Sequence, residues 1–310
     1  MKKTNIGGQA LIEGLLMIGP KSAATAVRKA DGEIVIEKKE LPPKGVFSKI
    51  PVIRGITGFV RQMIFGMKAL MYSAELVEIE EEIEEPSKFD KFIERVLGNK
   101  LKDAAIYFSV FVAIILGVSL FILLPNFLAD FITVTIDKTT RGGVITRNLI
   151  EGVIRLIIFL SYLALVSKMK DIKRIWQYHG AEHKTIHCYE HGEELTVENV
   201  KKYSTKHPRC GTSFLFIVMI VSIIVFSLVG WHGRLLNILL RILLIPIVAG
   251  ISYELLKIGG RSERKIMKII NAPGLGLQIL TTKEPDEKQI EVAIEALKNV
   301  LVEDKDADNW

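Results

Sequence analysis

Four stretches of this chain are apolar with few charges: Ala104–Leu124, Val144–Val166, Thr212–Gly230 and Leu235 to about Leu256. Each is close to the ~20 residues that a helix needs to cross ~30 Å of hydrocarbon, so the pattern predicts four transmembrane helices. The first and third are clean, and the second and fourth carry charges. Elsewhere the pattern changes period. Residues 23–41 alternate on either side of Asp31-Gly32 and predict a β-hairpin, closed by Pro42-Pro43, in an N-terminal unit of residues 1–50. Residues 7–20, "GGQALIEGLLMIGP", are apolar and Gly-rich. They predict a buried loop whose glycines allow close backbone approach, with Glu13 either facing solvent or serving as an acid in a pocket. Residues 51–79 have helical spacing with Arg54, Arg61 and Lys68 interspersed. This segment is expected to lie along a membrane surface or to pack on the protein's own soluble part. The acidic run at 75–86 reads as a solvated helix end and linker within a 51–103 segment. Beyond the spans, 257–310 begins with the turn-rich "NAPGLGLQILTTKEP". A helix follows from Asp286 to Leu301, with Ile290, Ala293, Ile294, Leu297 and Leu301 on one stripe, and the last residues are expected to fray.

The fold class that follows is mainly α: a polytopic membrane protein with four spans within 104–256, plus cytoplasmic segments that include an N-terminal β-hairpin. A hydrophobic share of 49% over 310 residues agrees with it. Orientation comes from lysine and arginine. They crowd before the first span, in the 167–211 loop between the second and third, and after the fourth, whereas 125–143 and the turn "WHGR" have few. Both termini and the 167–211 loop are therefore expected in the cytoplasm. The "MKKTNIGGQALIEG" start lacks the uninterrupted apolar core of a cleavable signal peptide. The net charge of +6 fits basic flanks meeting anionic lipid headgroups. No nucleic-acid motif is present, so a nucleic-acid partner is not expected. Two cysteines in a reducing compartment argue against a structural disulfide. In the second span Arg147, Glu151 and Arg155 share a helical face, and Arg241 in the fourth is a candidate partner. The set is either an ion pair that fixes packing or the lining of a polar cavity.

The chemistry is concentrated in "WQYHGAEHKTIHCYEH", residues 176–191, which holds four of the six histidines. If it is helical, each four-residue step turns about 40°, so His179 and His183 share a face while His191 lies about 120° from His179. The first pair reads H-x-x-E-H, the inverted zincin arrangement, in which two histidines hold zinc and the glutamate, here Glu182, is general base. Zinc would acidify a water, Glu182 would take its proton, and a polarised carbonyl or phosphoryl group would be attacked. A third ligand is open among His207, Cys210, His187 and Glu254. Imidazole and thiolate donors suit zinc or another divalent transition metal. Other readings of the cluster are an interfacial histidine helix meeting headgroups, a pH-responsive cluster, a closed structural metal site, and a Cys210–His207 thiolate–imidazole pair.

Taken together, "GGQALIEG", "PVIRG", "YHGAEHKTIHCYE" and "HPRCGTSF" resemble the YqhQ-like bacterial membrane proteins, domain-of-unknown-function family 1385, over about Ile6 to Leu301. The resemblance implies a multispan bacterial cytoplasmic-membrane protein with a cytoplasmic metal site, in a family commonly labelled a predicted metal-dependent enzyme. It supplies no substrate. Two functions from different classes stand at this point. One is a metal-dependent hydrolase at the membrane surface. The other is a non-catalytic accessory subunit of a membrane complex, such as a protein insertion or assembly machinery. A transport path along Glu151 and Arg155 would require a homo-oligomer.

Overall fold

The computed structural model describes residues 3–42, 45, 50–78, 100–137, 139–261 and 265–302. Pro43, most of the acidic run and residues 303–310 lie outside the described residues. The chain divides into two compact units. One comprises Met1–Glu80, Tyr162–Val225 and Leu243–Trp310, the other Glu81–Ser161 and Phe226–Ile242.

The first unit opens with four strands, β1 (Gly7–Leu11), β2 (Gly14–Ile18), β3 (Ser22–Arg28) and β4 (Ile34–Glu40), in an antiparallel meander of order β1-β2-β3-β4. The β3–β4 hairpin is the one expected around Asp31-Gly32. Asp31 Oδ1 accepts from Glu33 N at 2.8 Å, and Gly32 takes φ 92°. The buried loop expected over residues 7–20 is instead the β1–β2 hairpin, turning at Ile12-Glu13, with Glu13 at φ 47°. Its glycines serve strand approach: a Cβ on Gly14 would fall 2.5 Å from the Ala26 carbonyl oxygen. Glu13 is no pocket acid; partly exposed, it forms a surface ion pair with Arg174, and Tyr178 OH donates to it at 3.3 Å.

Period-2 alternation gives the sheet two apolar faces. Leu15, Met17, Ala24 and Ala26 pack against Tyr178 and Ala181 of α5 (Lys170–His191) and against Ile290, Ala293 and Leu297 of α10 (Glu287–Lys298). Burying each large apolar side chain there contributes roughly 1.5–3 kcal/mol. The stripe expected on α10 is the one buried, and the helix starts on Asp286 with a full capping box to Gln289. Leu11, Leu16 and Ala23 on the other face meet Phe65 and Ala69 of α1 (Ile53–Glu78). α1 thus packs on the protein's own sheet, yet Val60, Met63, Ile64, Met67 and Met71 stay exposed.

Among the described residues, four helices are long and apolar enough to cross a membrane: Phe108–Ile132, Arg141–Val166, Gly211–Val229 and Leu235–Gly260. The first runs through α2 (Lys100–Val118), a π-turn (Ser119–Leu123) and α3 (Leu124–Ile132); the others are α4 (Arg141–Val166), α7 (Gly211–Val229) and most of α8 (Arg234–Arg261). Pro125 does not end the first span. It lacks the N–H that would reach the carbonyl of Phe121, and that oxygen accepts from Arg155 Nε at 2.9 Å. Within this second unit, Glu151 receives Arg147 at 2.9 Å and also pairs with Arg155 and Arg241. Arg147 is 1% exposed, and its Nε donates to Asp130 Oδ1 at 2.8 Å, a partner the apolar pattern concealed.

The segment containing "NAPGLGLQIL", expected as turns, is α9 (Lys265–Thr281), with Pro273 inside the helix. Gly274 explains its composition. A Cβ there would lie 2.8 Å from Ser213 Cβ, so glycine lets α9 press against the start of α7. One turn further on, the fully buried amide of Gln278 accepts from His207 N and donates to His207 O, both at 2.8 Å. α9 therefore clamps the "HPRC" loop, 207–210, in place.

Candidate metal centre

α5 carries the histidine segment as one helix and ends at Gly192, whose φ of 75° caps it. One helical turn separates His179 from His183, and their ring centroids are 4.5 Å apart. Cys210 arrives from the clamped loop immediately before α7. His179 Nε2 is 3.1 Å from Cys210 Sγ, and Thr212 N donates to that sulfur at 3.4 Å. One ligand atom from each of His179, His183 and Cys210 lies within 4.8 Å of the other two.

The backbone decides which ring nitrogens are free. His179 Nδ1 is 2.7 Å from Thr281 O, and His183 Nδ1 is 2.5 Å from Thr205 O. A carbonyl can only accept, so both Nδ1 atoms carry hydrogen, and the neutral ring of each then has its lone pair on Nε2. Imidazoles that hold metal are oriented in this way. A tetrahedral zinc with ordinary bond lengths needs its donors about 3.3–3.6 Å apart; here one pair is 3.1 Å apart and all three lie within 4.8 Å of one another. The residues fit a borderline divalent metal.

Glu182 stands beside the trio without joining it. Its Oε1 accepts from Gly8 N at 2.8 Å, and a Cβ on Gly8 would come 3.0 Å from its carboxyl carbon. Burial raises its pKa, and the hydrogen bond from Gly8 N opposes this. A cavity of about 110 Å³ is lined by Gly7 and Gly8 on one side and by His179, Glu182, His183 and Cys210 on the other.

A second group, His187, Glu190 and His207, also converges within 4.8 Å. Its carboxylate is already engaged: Glu190 Oε1 accepts from Thr4 N at 2.7 Å and pairs with Arg209. Burial pushes the Glu190 carboxyl up, but hydrogen bonds from His207 and Arg209 outweigh it and hold the pKa at about 2. A guanidinium on the carboxylate makes this an ion-pair clamp joining Thr4, the end of α5 and the "HPRC" loop. His207 lines the cavity but belongs to this clamp.

Of the residues singled out in the sequence, the structure brings together His179, His183, Cys210 and Glu182. Glu254 is not among them; Arg54 engages both of its oxygens, and Val52 N donates to it at 3.2 Å. Cys188 lies in the core, where burial raises its thiol to about 11, which leaves no nucleophile there. Thr205 O, Thr281 O, Gly8, Glu190 and Arg209 escaped the sequence reading. The Gly-Gly pair of β1 was the one visible signal among them.

The histidines make stability depend on pH. Burial lowers His207 from 6.5 to about 3 and also lowers His183 and His187. Between those values the unfolded chain binds the proton and the folded chain does not, so stability is complete above the unfolded pKa and falls as pH drops. The slope is about 1.4 kcal/mol per pH unit for one such group. The melting temperature in detergent is expected to be lower at pH 5 than at pH 7.5, with a weaker dependence in His207→Gln. Equal melting temperatures at the two pH values would contradict this.

The family described as a protein of unknown function (DUF1385) matches residues 50–303, which include α5 and the "HPRC" loop. The chain is 37% identical over 304 residues to the Bacillus subtilis (strain 168) protein named "Uncharacterized protein YqhQ", covering 95% of this chain and 92% of the relative. No solved structure matches. With most of its length inside the family match and a relative aligned nearly end to end, the chain belongs to the DUF1385 family.

Proposed function

We propose that this protein is a metal-dependent hydrolase of the bacterial cytoplasmic membrane, with its site and both termini on the cytoplasmic side. The observation that carries the reading is the meeting of His179, His183 and Cys210 beside a cavity, with the Glu182 carboxylate next to them. Three convergent protein donors, rather than four, are the pattern of a catalytic site. A divalent cation held there, zinc by the donor set, would supply a Lewis acid and acidify a water. The Thr205 and Thr281 carbonyls engage Nδ1 of both imidazoles, which leaves Nε2 of each as the atom that would hold the metal. Glu182 is hydrogen-bonded through Oε1, and burial raises its pKa, which strengthens its carboxylate as the base that takes a proton from water and returns it to a leaving group. The distribution of Lys and Arg supports the orientation. The exposed apolar stripe of α1, with Lys68 beside it, supports contact with anionic lipid. Glu182→Gln tests the reading: a hydrolase loses turnover and keeps its metal, whereas an accessory subunit tolerates the change.

A further inference from the structure

We infer that the substrate is an extended polypeptide segment, which binds as an added strand along the free edge of β1; the inference rests on the hydrolase reading and gives it a substrate class. β1 is the end strand of the sheet. Its two-residue turn is closed by Leu11 and Gly14, so Leu11, Gln9 and Gly7 direct their N–H and C=O groups at β2. Gly8 and Ala10 direct theirs away. The hydrogen bond from Gly8 N to Glu182 confirms this phase. The Gly8 carbonyl and both backbone groups of Ala10 therefore stand along an edge that begins at Glu182. Among the described residues, no backbone-to-backbone hydrogen bond from Gly7–Ala10 leaves the sheet, and Gly8 N is the donor that Glu182 takes up. Gly7 is exposed, and Gly8 to Ala10 are half-buried. On one face α5 packs chiefly against β1, with Leu15 and Met17 in the same apolar cluster, and on the other α1 packs over Leu11 and Leu16.

A row of alternating donors and acceptors recognises another peptide backbone, and strands pair about 4.8 Å apart. Gly7 leaves room for such a strand to pass the cavity, since a Cβ there would meet nothing within 4 Å. A carbonyl carbon of the added strand then reaches the place where Glu182 and the three donors converge. Water adds across the peptide bond: its hydroxyl goes to the carbonyl carbon, the C–N bond breaks, and Glu182 carries the proton to the departing amine.

The test uses the full chain in detergent with zinc. The probe is fluorescein-labelled, reduced and carboxymethylated α-lactalbumin, which is permanently unfolded. Binding is read by anisotropy on Glu182→Gln, which cannot consume the probe. Adding Ala10→Pro removes one outward N–H and leaves the β1–β2 ladder whole. It should weaken binding at least tenfold with melting temperature and zinc content unchanged. The probe should also slow hydrogen exchange at the Ala10 amide of the parent, a readout independent of any variant. Gln9→Pro, which breaks the ladder, should melt early. No binding, binding indifferent to Ala10→Pro, or unchanged exchange at Ala10 overturns the inference. Cleavage of phospholipid or a fatty-acyl ester without polypeptide binding overturns it while sparing the hydrolase reading. Polypeptide binding that depends on Ala10, with no cleavage by the unsubstituted chain, overturns the hydrolase reading and spares the edge.

Discussion

Glu182→Gln should reduce hydrolysis by 10²–10⁴-fold, the usual contribution of a positioned general base, while the metal stays bound. The substitution is nearly isosteric. A glutamine oxygen can still accept from Gly8 N, so the joint between α5 and β1 survives. The change removes the second carboxylate oxygen's ability to take a proton. Neither imidazole nor Cys210 depends on that oxygen, since His179 and His183 are held by the Thr281 and Thr205 carbonyls. Loss of turnover with full metal content therefore isolates proton transfer. Cleavage of unfolded polypeptide by the purified protein, with metal measured on the same sample, gives the answer. Turnover within a few-fold of the unsubstituted chain would remove Glu182 from the chemistry.

The second large effect is on stability. Glu151 is 1% exposed and pairs with Arg147, Arg155 and Arg241, in helices long and apolar enough to cross a membrane. Removing one partner of a buried pair costs roughly 3–5 kcal/mol, because the charge left behind cannot regain water. Here one carboxylate serves three guanidiniums, so Glu151→Leu should reach or exceed the upper end of that range. It should show as a large drop in melting temperature in detergent or as failure to accumulate. Adding Arg241→Leu removes one of the orphaned charges and should restore part of the loss. A Glu151→Leu protein that melts like the parent would show that the cluster does not hold this unit together. The exposed pair of Lys298 and Glu295, by contrast, should matter by less than about 1 kcal/mol.

How much of this was readable in the residues depended on whether the signal was local. The spans, the β3–β4 hairpin and α10 were legible because their cues lie within each segment: an apolar run, an Asp-Gly turn, and Asp286 ahead of an apolar stripe. β1 and β2 were missed because a short apolar run bounded by glycine suits a loop as well as a strand, and the partner that decides, β3, lies further along the chain. α9 was missed because Pro273 and Gly274 weigh against a helix in isolation, whereas packing against Ser213 rewards the missing side chain. In the candidate site, His179 and His183 were legible from their spacing of one helical turn. Cys210 and Glu254 stood as equals, since only the fold places one near α5 and gives the other to Arg54. The Thr205 and Thr281 carbonyls that set the tautomers are backbone atoms, which any residue would supply.

The central claim is that His179, His183 and Cys210 hold a metal ion. Its most direct test is elemental analysis of the detergent-purified protein, prepared without chelators, alongside His183→Ala and Cys210→Ala. We expect about one divalent transition-metal ion per chain in the parent and in Glu182→Gln, and a small fraction of that in the other two. A parent without metal, or a His183→Ala protein that retains the full amount, would contradict it.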